Sequence, residues 1–157
     1  MFDHMWVNFI WTVLLWLLVL FSGIIIAAMR KGISTLKSKP KRLKSIITST
    51  NPHETLKTII CFAQQSNYKV SALDETKYQL VLDESTTLTS WGFFYPIFIS
   101  QHADNATLIE VGIKSKFVQI GPIVSRCHEK CVVGIQAALF ANAERKSSGF
   151  AGEAVKV

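Results

Sequence analysis

From Trp6 to Met29 the chain runs for 24 positions without a charged side chain, dominated by Trp, Leu, Val, Ile and Phe. An α-helix rises about 1.5 Å per residue, so this run makes a rod of about 36 Å, enough to cross a hydrocarbon core of about 30 Å. The expectation is a single transmembrane helix over residues 1–29. A cleaved secretory signal fits less well: Asp3 and His4 precede the run without Lys or Arg, and the run ends Ala27-Ala28-Met29-Arg30 with no Ala-x-Ala site. Trp6 and Trp11 suit an interfacial aromatic belt, and Gly23 and Ala27, four apart, give a small-xxx-small face for helix packing in a bilayer.

Charge sets the orientation of such an anchor. The formal net charge is +6, yet seven cations lie between Arg30 and Lys44 with no acid among them: Arg30, Lys31, Lys37, Lys39, Lys41, Arg42 and Lys44. From Ser45 onward ten cations balance ten acids. Lys and Arg gather on the cytoplasmic side of membrane helices, which predicts an inner-membrane protein with its N-terminus outside and its folded part in the cytoplasm. The expected partners are membrane lipids, held by the basic segment, and subunits of a membrane complex, with a homo-oligomer through Gly23 and Ala27. Nucleic acid is not among them, because the folded part is formally neutral. Three cysteines fit a reducing compartment, and Asn105-Ala106-Thr107 reads as a turn rather than a glycosylation acceptor.

The organisation that follows is a transmembrane anchor over 1–29, a basic juxtamembrane linker over 30–50, an α+β domain over 51–143 and a flexible tail over 144–157. Asn51, Pro52 and Glu54 form a helix-start signature, and Leu56, Ile59, Ile60 and Ala63 supply one apolar face of a helix ending near Gln65. Tyr68–Leu73 and Lys77–Asp83 read as a hairpin, and Thr86–Ser100 and Ala106–Lys116 as a second pair of strands. Gly121-Pro122 opens a last helix to about Asn142, with Val124, Cys127, Cys131, Ile135 and Leu139 at helical spacing. The fold class expected is a transmembrane helix plus a two-layer α+β domain: helix, four-stranded antiparallel sheet, helix.

One strand is apolar on both faces. Trp91, Phe93, Tyr95, Ile97 and Ile99 fill one side, and Phe94, Pro96 and Phe98 the other. Helices on one side of a two-layer fold cover only one of these sets, so the other meets a partner or a terminus or loop of the chain itself. Trp91, Phe93, Phe94, Tyr95 and Phe98 are therefore the candidate docking residues of a non-catalytic accessory or assembly subunit. The alternative is a membrane-tethered module for a lipid or anion, with Lys114, Lys116 and Arg126 around the start of the last helix as headgroup ligands.

No reaction is expected. Cys127 and Cys131 stand one turn apart with His128 between them, but they share the apolar stripe and lack a second metal-binding pair. No phosphate-binding loop, nucleotide fingerprint or nucleophile–base arrangement is present in the sequence, and no metal or cofactor is implied.

Overall fold

A computed structural model of the chain describes residues 2–29, 36, 38–86, 91–102, 106–117 and 121–153, without the side chains of 2–6, 23–24, 27–29 and 147–153. The chain divides into two units, Met1–Arg30 and Lys31–Val157.

The first unit is one helix, α1, Phe2–Met29. Its hydroxyls are satisfied locally: Thr12 donates to Asn8 O at 2.8 Å and Ser22 to Val19 O at 2.8 Å. Among the described residues no helix is long and apolar enough to cross a membrane. The single-pass anchor is therefore not supported. The inner-membrane location, the outward N-terminus and the cytoplasmic placement derived from it fall with it. Gly23 and Ala27, expected to pack helices together, have side chains outside the described residues.

In the second unit the order is β1 Leu43–Thr48, α2 Pro52–Gln65, β2 Tyr68–Asp74, β3 Gln79–Glu84, β4 Phe93–Gln101, β5 Thr107–Gly112, β6 Lys114–Ser115 and α3 Pro122–Glu153. The expected four strands become a six-stranded antiparallel sheet ordered β1-β5-β4-β3-β2, with β6 also on β4. The additional edge strand, β1, comes from the stretch expected to be linker; Ile46 pairs with Ile109 and turns inward. The last helix does not stop near Asn142 but continues to Glu153, so much of the expected tail is helical. Of the expected strand and turn positions, 87–90 and 103–105, which include Asn105, lie outside the described residues.

Local chemistry accounts for the boundaries. Asn51 caps α2, its Oδ1 accepting from Glu54 N–H at 2.9 Å, and Pro52 follows at the first helical position. Asp74 Oδ1 accepts from the Thr76 hydroxyl at 2.7 Å and from Lys77 N–H at 3.1 Å, which folds the β2–β3 turn. Ser71 is the extra residue of a bulge in β2, and its hydroxyl donates to Val81 O at 3.3 Å. Gly121, at φ 99, makes the turn into α3 that a side chain would strain.

Both helices of this unit pack on one sheet face. The core joins Leu56, Ile59 and Ala63 of α2 and Val124, Cys131, Ile135 and Leu139 of α3 to Leu80, Leu82, Phe93, Tyr95, Ile97, Ile109 and Val111. On the other face Phe94, Val81 and Ala72 form a smaller cluster against Leu36. Lys39 lies over the Phe98 ring and pairs with Glu110; Lys116 lies over the Phe94 ring and pairs with Asp83 at 2.5 Å. Pro40 sits so close to Gly112 that a Cβ there would meet Pro40 Cγ at 2.2 Å. The chain's own basic segment thus covers the second apolar face.

Candidate functional site: a cleft between helices and sheet

At one end of the helix–sheet interface an open cleft of about 850 Å³ is lined by Phe62 of α2, Tyr68 and Lys69 of β2, Glu84 of β3, Lys130, Val133 and Gly134 of α3, and the loop residues Ser66, Asn67 and Ser85. Gly134 allows the two helices to meet there, since a Cβ would reach Phe62 Cζ at 2.7 Å. Behind the opening stands an aromatic stack. Phe62 tilts on Tyr68 at 5.7 Å between centroids, Tyr68 meets Tyr95 edge-on at 5.6 Å, and Tyr95 lies 6.2 Å from Phe93.

The polar chemistry is concentrated on Glu84. Tyr95, whose side chain is fully buried, donates its hydroxyl to Glu84 Oε2 at 2.6 Å and lies 3.4 Å from Cys127 O. Burial, with Glu84 beside it, holds the Tyr95 phenol far above its usual range, and burial also raises the Tyr68 phenol, so both remain donors. Burial pushes the Cys131 thiol up to about 12 and raises Cys127 as well, which leaves neither as a ready thiolate.

The expected docking residues are core residues. Phe93 and Tyr95 are fully buried under the helices, Phe94 and Phe98 are buried under the basic segment, and Trp91, half-buried, stacks on Phe117 at 5.4 Å. An aromatic strand of this kind has no free face for an accessory subunit to present, and the accessory-subunit reading is not retained. Nor do Lys114, Lys116 and Arg126 converge. Lys114 and Arg126 are exposed, while Lys116 is buried against Asp83 and Phe94. The cations that do flank the start of α3 are Lys41 and Arg42, just before β1, and Lys44 within it, in a hollow of about 540 Å³ that also includes Gly121, Ser125 and His128. Lys44 is already paired with Glu129.

His128 lies off the Cys127–Cys131 stripe by helical spacing, yet it is buried, with Nε2 2.9 Å from Val111 O. Its burial lowers its basicity, and Lys44 and Arg42 add to that. Among the described residues no group of three His, Cys, Asp or Glu side chains is placed to hold a metal ion. The cleft residues Phe62, Tyr68, Glu84 and Val133 were missed because they belong to four different elements and share no spacing along the chain.

No protein-family model matches this chain, and no curated protein matches it. Solved structures do. The crystal structure of Ara h 8.0201 superposes with a TM-score of 0.50 at 13% identity, over 62% of this chain and 93% of that one. The solution structure of the Aha1 dimer from Colwellia psychrerythraea gives 0.47 at 13% identity, over 63% of this chain and 92% of that one. At such identity the first of these shows the fold alone: an α+β domain folded like that of Ara h 8.0201.

Proposed function

We propose that the folded unit is a non-catalytic binding domain for a small molecule with an apolar body, received in the cleft between α2, α3 and the β2–β3 edge. The observation that carries this reading is the cleft itself: its volume of about 850 Å³ falls within the roughly 300–1,000 Å³ of small-molecule sites. Phe62, Tyr68 and Val133 offer apolar wall, while Glu84, Lys69 and Lys130 supply the few polar groups that orient a guest. The groove between α2 and α3 is a weaker candidate. It measures about 360 Å³, its lining includes Lys57, Gln65, Arg145 and Lys146, and it is bridged by Lys146–Glu54 at 2.5 Å and Asn142–Thr58 at 3.0 Å.

A binding role without turnover is supported by the state of the reactive groups. The Cys127 and Cys131 thiols are held protonated, and the His128 ring is engaged with Val111 O, away from the cleft.

The test is a titration of the full chain with prodan, an uncharged naphthalene dye that brightens in apolar surroundings. The expected result is one saturable site, weakened at least about tenfold by Val133→Trp, which fills the cleft mouth from an exposed position. Identical titrations of the two proteins would overturn the reading.

A further inference from the structure

Glu84 is an unusual wall for an apolar cleft, and its placement carries information about the guest. A carboxylate has about four acceptor positions, and the Tyr95 hydroxyl occupies one of them at 2.6 Å. None of the ion pairs among the described residues engages Glu84. Tyr95 cannot readily swing away, because its ring is fully buried between Tyr68 and Phe93. The carboxylate is thus fixed from behind while it lines the cleft in front. A fixed acceptor favours a guest that brings a donor, since lost rotamer freedom is not charged again on binding.

The charge around it narrows the choice. Lys69 and Lys130 line the same cleft, and two cations disfavour an ammonium guest. A carboxylate guest near the acceptor would meet Glu84 itself. A neutral hydroxyl avoids both repulsions and still donates a charge-assisted hydrogen bond.

Resting on the binding reading above, we infer that the cleft selects neutral, hydroxyl-bearing apolar molecules, whose O–H donates to the Glu84 carboxylate while the apolar body lies along Phe62, Tyr68 and Val133. The Tyr95–Glu84 pair is then a positioning device: Tyr95 holds the carboxylate, and the carboxylate reads the guest.

Three probes of equal ring size test this on the full chain: 2-naphthol, 2-methylnaphthalene and 2-naphthoate, each titrated against wild type, Val133→Trp and Glu84→Gln. The expected result is that 2-naphthol binds at least about tenfold more tightly than 2-methylnaphthalene, the ratio a hydrogen bond to a charged group supplies. Glu84→Gln, which keeps an acceptor for Tyr95, should shrink that ratio. Thermal melting of each variant confirms that the fold is retained. Equal binding of 2-naphthol and 2-methylnaphthalene, both weakened by Val133→Trp, would overturn the hydroxyl selection and leave the binding role standing. Tightest binding of 2-naphthoate would overturn it in favour of Lys69 and Lys130. Absence of any binding sensitive to Val133→Trp would overturn the binding role itself, and the selection with it.

Discussion

The Tyr95 hydroxyl and the Glu84 carboxylate meet at 2.6 Å, tying a fully buried ring of β4 to the end of β3, where the cleft opens. The bond joins the stability of the core to the geometry of the candidate site. Tyr95→Phe removes the hydroxyl without opening a large cavity, and hydrogen bonds to charged groups contribute about 1.5–3 kcal/mol. Denaturant unfolding should show a loss of about 1–3 kcal/mol for this variant, together with a weaker preference for 2-naphthol.

His128 gives the fold a pH dependence of defined sign. Burial, with Lys44 and Arg42 nearby, lowers its pKa in the folded state below the usual 6.5. The unfolded chain therefore binds the proton more readily, so this contribution to stability is present above about pH 6.5 and is lost as the pH falls from there through the folded value. His128→Gln, whose amide can still donate to Val111 O, should flatten that part of the stability–pH curve. Equal slopes for wild type and variant between pH 5 and 7, values chosen to bracket the usual histidine range, would count against the assignment.

The second apolar face gives a contrast between two aromatic residues. Phe94 is buried, whereas Phe140 on α3 is exposed. Phe94→Asp places a charge under the Lys116 side chain and the sheet, and should cost more than about 3 kcal/mol or prevent folding. Phe140→Asp should change stability by less than about 0.5 kcal/mol. Circular dichroism during urea titration distinguishes them, and similar midpoints would show that the basic segment does not seal that face.

Gly112 tests the seal from the opposite side. With Pro40 Cγ 2.2 Å from the position of a Cβ, Gly112→Val must displace the covering segment or distort β5. The expected outcome is a loss of about 1–3 kcal/mol and faster trypsin cleavage after Lys41 and Arg42.

The thiols should react in order of exposure. Cys61 is exposed, Cys127 is intermediate and Cys131 is buried with its thiol pushed up to about 12. Iodoacetamide on the native chain, followed by peptide mass spectrometry, should label Cys61 first and Cys131 last.

Much of the folded unit is legible in the amino-acid sequence. The α2 cap at Asn51 and the hairpin expected from Tyr68–Leu73 and Lys77–Asp83 follow from local patterns and are observed, while the two-sided apolar strand expected over Thr86–Ser100 is observed over Phe93–Gln101. β1 was not legible, because its apolar residues Leu43, Ile46 and Ile47 do not alternate with Lys44, Ser45 and Thr48 and stand in a basic stretch. Missing β1 also hid what covers the second sheet face and which cations approach α3. The burial of His128 depends on a carbonyl of β5, a contact across 17 positions that helical spacing does not encode. The length of the apolar run at Trp6–Met29 led to a membrane anchor that the described residues do not support.

The proposed function requires the helix–sheet cleft to bind a small apolar guest. Its most direct test is a solution NMR titration of the full chain with 2-naphthol, following backbone amides on both sides of the helices. Saturable shifts are expected at Phe62, Tyr68, Glu84 and Val133, with Lys57, Asn142 and Lys146 of the other groove unmoved. Shifts confined to that second groove, or none that saturate, would contradict it.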